Sequence, residues 1–255
     1  MRLRSRGALG VPVYKPSVGD GATTTPSAKR HASRAKKRDA IVTRGKILKA
    51  AMKEFAAKGL DARIEDIADM AGANRRMAYY YFGSKEGLYL SALEATYLEL
   101  VRVERGIEVG ALGPLEAIAA LISAKFEHYV KYPHYVEFVK IENLYKARHL
   151  KTSRRIAEMR APLIALIDRV LKKGQADGVL RRGIDPLDLY ISICALGFFV
   201  FSNRYTLGAI FNADLTSAKA LKRRRQVIID MITTYLRPQG NSSAARRDGQ
   251  IRRTR

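Results

Sequence analysis

The segment from Ile64 to Glu86, IEDIADMAGANRRMAYYYFGSKE, constrains this chain more than any other stretch. It reads as two short helices joined by a tight turn. Ile67, Ala68 and Ala71 recur at helical spacing on one face, which leaves Glu65, Asp66 and Asp69 to solvent. Gly72 falls where the first helix must stop, because glycine accepts the left-handed backbone that side chains resist. Asn74 is then a good N-cap for a second helix, which opens with Arg75, Arg76 and Met77 and continues into Tyr79, Tyr80 and Tyr81. A helix with guanidinium groups in its first turn and phenols along its flank suits a major groove lined by phosphates. The pattern is a helix-turn-helix.

The surrounding signals are helical throughout. Thr43 is placed to cap a first helix running to about Lys58 and closed by Gly59, with Ile47, Leu48, Ala51 and Phe55 as its apolar stripe. With the helix-turn-helix it makes a three-helix unit, a core small enough to need support from the helices after it. Ser84 caps a fourth helix from Lys85 to about Glu104, which links this unit to the rest and is the obvious carrier of a signal. Pro114 starts a helix that extends to Lys131, and another spans about His134 to Tyr145. Ser153 caps a longer one to about Ala176. Asp185-Pro186 opens a helix to about Tyr205 that is apolar nearly all round, which implies deep burial or a subunit interface. Thr216 or Ser217 opens the last helix, which ends by Pro238. About nine helices and no credible strand predict an all-α fold, an N-terminal three-helix DNA-binding domain followed by a C-terminal helical bundle.

Composition bounds the partners. The 255 residues carry a formal net charge of +23, with 47% hydrophobic and 28% charged residues. Much of the excess is local: Lys29, Arg30, Arg34, Lys36, Lys37 and Arg38 lie before the first helix, and Arg246, Arg247, Arg252, Arg253 and Arg255 close the chain. Such a balance points to an anionic polymer or surface. Residues 1–38 lack helical periodicity and are expected to be a disordered basic arm, able to reach a neighbouring minor groove. The expected divisions are this arm, a DNA-binding domain over 39–87, a helical domain over 88–237 and a disordered basic tail over 238–255. Cys194 is the only cysteine, which excludes an intramolecular disulfide and a cysteine zinc site. Leu187 to Phe201 contains Asp188 and is a poor bilayer span, and no secretory signal is visible at the N-terminus, so the expected location is cytoplasmic, with no membrane partner. The spacing of His128, His134, Glu127, Glu137 and Glu142 matches no metal motif, and no nucleophile–base pair or phosphate loop is present. Neither an enzyme nor a cofactor is expected.

Ala71 to Leu88 also fits Ala-Gly-x-[Ser/Asn]-x-x-x-x-Tyr-x-Tyr-Phe-x-x-Lys-x-x-Leu position by position and so resembles the signature of TetR/AcrR-family transcriptional regulators. The segment from Thr43 to Gly59 resembles the first helix of the same family. The specific resemblance covers about Thr43 to Leu88. It departs at Gly59-Leu-Asp-Ala-Arg-Ile64, about one residue short, where members usually have a Thr or Ser that touches a phosphate; Arg63 is the side chain placed to supply that contact.

The candidate DNA contacts divide by chemistry. Arg75 and Arg76 are candidates for base readout, since arginine pairs bidentately with guanine, and Met77 suits a thymine methyl. The resemblance implies phosphate contacts from Tyr79, Tyr80 and Lys85; Tyr81 and Phe82 are expected in the small core. Asn74 completes the DNA-binding set as the cap. The resemblance further implies a small-molecule effector in the bundle, and an aromatic and apolar set with few polar groups suits an organic ligand. The candidates are Phe126, His128, Tyr129 and Phe138, with Glu142, Tyr145, Phe201 and Asn203. Asn203 is placed either in that pocket or at a subunit interface. A homodimer is expected from the family and from the apolar Leu187–Phe201 run, with two recognition helices set on a pseudo-palindromic operator. The expected function is therefore a ligand-responsive regulator, a repressor released from double-stranded DNA by its effector. A sequence-neutral basic DNA-coating protein is the alternative.

Overall fold

The computed structural model describes residues 26–107 and 109–238. Among them are ten α-helices and no strand. The chain divides into two compact units, one through Val42 and one from Thr43 onward. The described part of the first unit is the opening of α1, which spans Pro26–Lys58. Thr43 therefore lies inside a helix instead of at its start, and residues 26–38 are helical where a disordered arm was expected. The physical reason is that nothing between Pro26, a residue suited to a first helical position, and Gly45 interrupts a run rich in Ala, Lys and Arg. The rest of the expected arm, residues 1–25, and residues 239–255 of the basic tail lie outside the described residues.

The second unit begins with the helix-turn-helix. Helix α2 (Ile64–Met70) is followed by α3 (Arg75–Phe82) and α4 (Lys85–Arg105). Gly72 has φ +62°, the left-handed value its position in the turn demands. The Asn74 side chain accepts from the Met77 N–H at 2.9 Å, and Ser84 accepts from the Gly87 N–H at 3.0 Å, so both caps form as the capping rule predicts. Gly87 is required by closeness: a Cβ there would overlap the Phe82 carbonyl oxygen at the tight junction of α3 and α4. Ile47, Phe55, Ile64, Ile67, Leu88, Tyr89 and Leu93 form one buried cluster, with Tyr81 and Phe82 packed at its edge. Phe138 and Ile156, from the far part of the chain, belong to the same cluster, so the head does lean on the bundle.

The bundle comprises α5 (Pro114–Lys131), α6 (Pro133–Leu144), α7 (Arg154–Ala176), α8 (Pro186–Ser202), α9 (Arg204–Phe211) and α10 (Ala218–Leu236). Helix α5 is central and packs on α4, α7, α8 and α10. Ser153, Asp185 and Ser217 cap their helices by side-chain hydrogen bonds. Two features depart from the helical periodicity. Pro162 lies inside α7, where it deletes one backbone hydrogen bond. The helix expected to reach Tyr205 ends at Ser202 instead, and α9 follows with a bend of 67°. At this break Asn203 donates from Nδ2 to the Phe199 carbonyl at 3.1 Å and to Ser202 Oγ at 2.7 Å, drawing the backbone out of the helix. Among the described residues no single helix is long and apolar enough to cross a membrane.

Candidate nucleic-acid interface and effector cavity

Helix α3 turns its small face inward, with Ala78 buried, and its large polar side chains outward. Arg75, Arg76 and Tyr80 are exposed, Tyr80 at 82%, and Tyr79 is at the edge of exposure. Met77 and Lys85 are half-buried, while Arg63 is exposed. These seven side chains and Asn74 thus come from one short region of three consecutive helices. Arg75 differs from Arg76 in that its guanidinium pairs with Glu65 of α2 at 2.9 Å and lies 5.3 Å from the Tyr79 ring centroid. Both contacts fix its direction. Helix α2 has no side-chain cap; Arg63 occupies the N-cap position with extended backbone, its Nε 3.9 Å from Glu65. Lys46, Lys49 and Lys53 form a cationic stripe on α1 beside the turn at Gly72. This surface lies outside the motif and went unpredicted, although helical spacing alone could have located it.

The eight expected effector contacts do not form one group. Phe126, Tyr129 and Phe201 are buried together, with ring centroids 5.1 Å and 5.6 Å from the Phe201 ring, and His128 packs against Tyr132 and Tyr135. Phe126, Tyr129 and Phe201 belong to the bundle core, and Phe126 also lines an open groove of about 510 Å³ with Val130, Leu221 and Arg225. Phe138 and Glu142 instead join the head-side cluster. There Glu142 Oε1 accepts from the Tyr89 hydroxyl at 3.0 Å and His149 Nδ1 at 2.7 Å, and Oε2 accepts from the Leu150 N–H at 3.0 Å. The Arg148 Nε–H reaches His149 Nε2 at 3.3 Å, which places the ring proton on Nδ1. Burial, reinforced by the Glu142 charge, pushes the Tyr89 phenol well up and keeps it a donor. Tyr145 is 37% exposed at the end of α6, and Asn203 is occupied at the α8–α9 break.

A second buried polar group was not anticipated. Lys125 of α5 is 1% exposed; its Nζ is 3.3 Å from Glu104 of α4 and 2.8 Å from the Tyr190 hydroxyl of α8. Burial works against this charge, and Tyr129, Tyr190, Cys194 and Tyr135 around it outweigh that cost, so the ammonium titrates well above an ordinary lysine. Glu104 also forms part of the wall of a cavity of about 220 Å³ between α4 and α7. Val101, Arg105 and Ile107 line it on the α4 side; Met159, Pro162, Leu163, Leu166 and Arg169 line it on the α7 side.

The head and the bundle that follows it both match known families. Residues 47–92 match the family described as bacterial regulatory proteins, tetR family, and residues 114–232 match the tetracyclin repressor-like C-terminal domain. The chain is 34% identical over 196 residues to the HTH-type transcriptional repressor NicS of Pseudomonas putida, covering 76% of this chain and 92% of that protein. It belongs to the TetR family. It is a DNA-binding transcriptional regulator with an all-α fold, and a sequence-neutral coating role finds no support among its relatives. The HTH-type transcriptional regulator RutR of Escherichia coli is 32% identical over 180 residues, 69% of this chain and 78% of RutR. Among solved structures, the putative transcriptional regulator SCO4942 of Streptomyces coelicolor shares the fold with a TM-score of 0.59 at 24% identity, over 77% of this chain and 99% of that one. Both parts of this TetR-family chain, the head and the helical bundle, lie within these matches.

Proposed function

We propose that the protein is a homodimeric, cytoplasmic repressor that holds a pseudo-palindromic operator and lets go when a small molecule enters the cavity between α4 and α7. The observation that carries this reading is the continuity of α4. Its first turns pack in the head cluster through Leu88, Tyr89 and Leu93, and its last turns wall the cavity through Val101, Glu104 and Arg105. A ligand that favours one setting of α4 over another changes the separation of two heads and hence the match to the half-sites. In the head, Arg76 is assigned to base readout, Arg75 to a positioned contact beside Tyr79, and Tyr80, Lys85 and Arg63 to phosphates. Met77 is assigned to an apolar contact, with Asn74 holding the start of the helix. The dimer reading is supported by the exposed apolar side chains Leu187, Ile191 and Phe199 of α8 and Met231 and Tyr235 of α10, two helices that pack together.

Footprinting of the purified protein on the DNA upstream of its own coding region tests the reading, alongside sedimentation of the wild type and of Met231→Glu. Two protected half-sites related by a two-fold axis are expected, with the wild type dimeric and Met231→Glu shifted to monomer. Protection spread evenly along the DNA would refute operator recognition. A Met231→Glu protein that stays fully dimeric would refute the proposed interface.

A further inference from the structure

We propose that the α4–α7 cavity takes a small organic monoanion, a single ring bearing a carboxylate, and that Arg105 and Arg169 read the carboxylate. The inference rests on the reading of this cavity as the effector site and adds its chemical class. Size sets the first limit. An apolar cavity of ~150 Å³ accommodates benzene, so about 220 Å³ suits one ring with a small substituent. Charge sets the second. Glu104 is the carboxylate of the wall, and it is held by the Lys125 ammonium at 3.3 Å. Arg105 and Arg169 remain as two exposed guanidinium groups with no carboxylate partner among the described residues. A planar carboxylate accepts two parallel N–H bonds from a guanidinium, whereas a cation meets repulsion and a neutral amide gains much less. The remaining wall sets the third limit, since Val101, Ile107 and Leu163 solvate a ring and not a bare hydrated anion. Position makes such occupancy consequential: Met159 abuts the head-side cluster and Leu163 belongs to the bundle cluster, so a ring seated between α4 and α7 presses where the two cores meet.

Titration calorimetry on the full chain with benzoate, benzamide, acetate and benzylammonium tests this. Benzoate is expected to bind at least tenfold more tightly than the other three. Arg105→Gln and Arg169→Gln are each expected to weaken benzoate about tenfold and to leave benzamide unchanged. Both side chains are exposed, and unaltered thermal melting verifies that the variants fold. Leu166→Trp, which fills the cavity, is expected to abolish benzoate binding. The proposal is overturned if benzoate does not bind, if benzamide or benzylammonium matches it, or if acetate matches it, which would reveal charge pairing without a ring site. Benzoate binding that ignores both arginine substitutions or the tryptophan overturns it as well. Benzoate that binds as expected yet leaves operator affinity unchanged upholds the chemistry of the site and refutes the effector reading instead.

Discussion

Glu142 is the residue whose removal tests the junction of head and bundle most directly. In Glu142→Ala three donors lose their acceptor at once: the Tyr89 hydroxyl, His149 Nδ1–H and the Leu150 N–H. A buried donor left unsatisfied costs about 1–3 kcal/mol. Some of that is offset because a buried carboxylate no longer has to be desolvated, so a net loss of about 3–5 kcal/mol is expected for the three donors together. For a chain of this size each kcal/mol moves the melting temperature by roughly 2–4 °C. A fall on the order of 10 °C should follow in thermal unfolding monitored by circular dichroism. Tyr89→Phe removes one donor and leaves the carboxylate two, so it should cost only about 1 kcal/mol. In the Glu142→Ala background the same change should cost nothing or stabilise, because the phenol is then unpartnered. The resulting coupling, on the order of 1–3 kcal/mol, is what a double-mutant cycle reads. Strict additivity of the two substitutions, or a Glu142→Ala protein within about 1 kcal/mol of wild type by the same principle of unsatisfied donors, would show that the carboxylate is not the acceptor on which this junction depends.

Other expected outcomes rest on the same geometry. Arg76→Ala should cost ~1–3 kcal/mol at one base position and relax specificity there, as read by binding to a panel of single-base operator variants; uniform weakening would assign Arg76 to a phosphate. Gly87→Ala should lower the melting temperature because its new methyl group overlaps the Phe82 carbonyl oxygen, and an unchanged melt would refute the close approach of α3 and α4. Burial raises the Tyr129 and Tyr135 phenols, so above pH ~10 the unfolded chain releases protons that the folded chain keeps. Urea stability should hold below that pH and fall above it, by up to about 1.4 kcal/mol per pH unit for each phenol; a flat alkaline profile would refute their burial. Replacing Lys29, Arg30, Arg34, Lys36, Lys37 and Arg38 with glutamine should reduce the slope of log affinity against log salt by about 0.9 for each phosphate no longer neutralised, and an unchanged slope would show that this basic segment does not touch DNA.

The parts of the fold legible in the sequence are those governed by neighbours within a few residues. Asn74, Ser84, Ser153 and Asp185 cap their helices because a short side chain bonds an N–H two or three positions on, a rule that needs no tertiary information. The same rule misplaced the start of α1, since a good capping residue such as Thr43 does not end a helix when the residues before it are themselves helix formers. The break after Ser202 carries no Gly or Pro to announce it. It arises from hydrogen bonds that Asn203 could equally have left unmade within a straight helix, so periodicity ran through it.

The two halves of the function differ in legibility for the same reason. The proposed DNA contacts from Arg63 to Lys85 lie close together in sequence, so the turn, the cap and the outward arginines could be placed from spacing alone. The effector side depends on which helices face each other. Phe126, Tyr129 and Phe201 pack in the bundle core, because closely packed aromatics are what a bundle of this size buries, and Phe126 also lines a groove. The cavity proposed for the effector lies instead between α4 and α7, with Val101, Ile107, Leu163 and the in-helix Pro162 beside Glu104, Arg105 and Arg169. The partners of the buried charges are equally remote, with Lys125 meeting a carboxylate 21 positions away and Glu142 a phenol 53 positions away. A buried ionisable residue must have a partner, and the sequence shows the need without showing the partner. Buried polar side chains in a helical regulator of this kind therefore mark where distant helices are tied together: Glu142 ties α4 to α6, and Glu104 ties α4 to α5. Both ties hold the one helix that runs from the DNA-reading head to the cavity, so a ligand that shifts α4 must work against both.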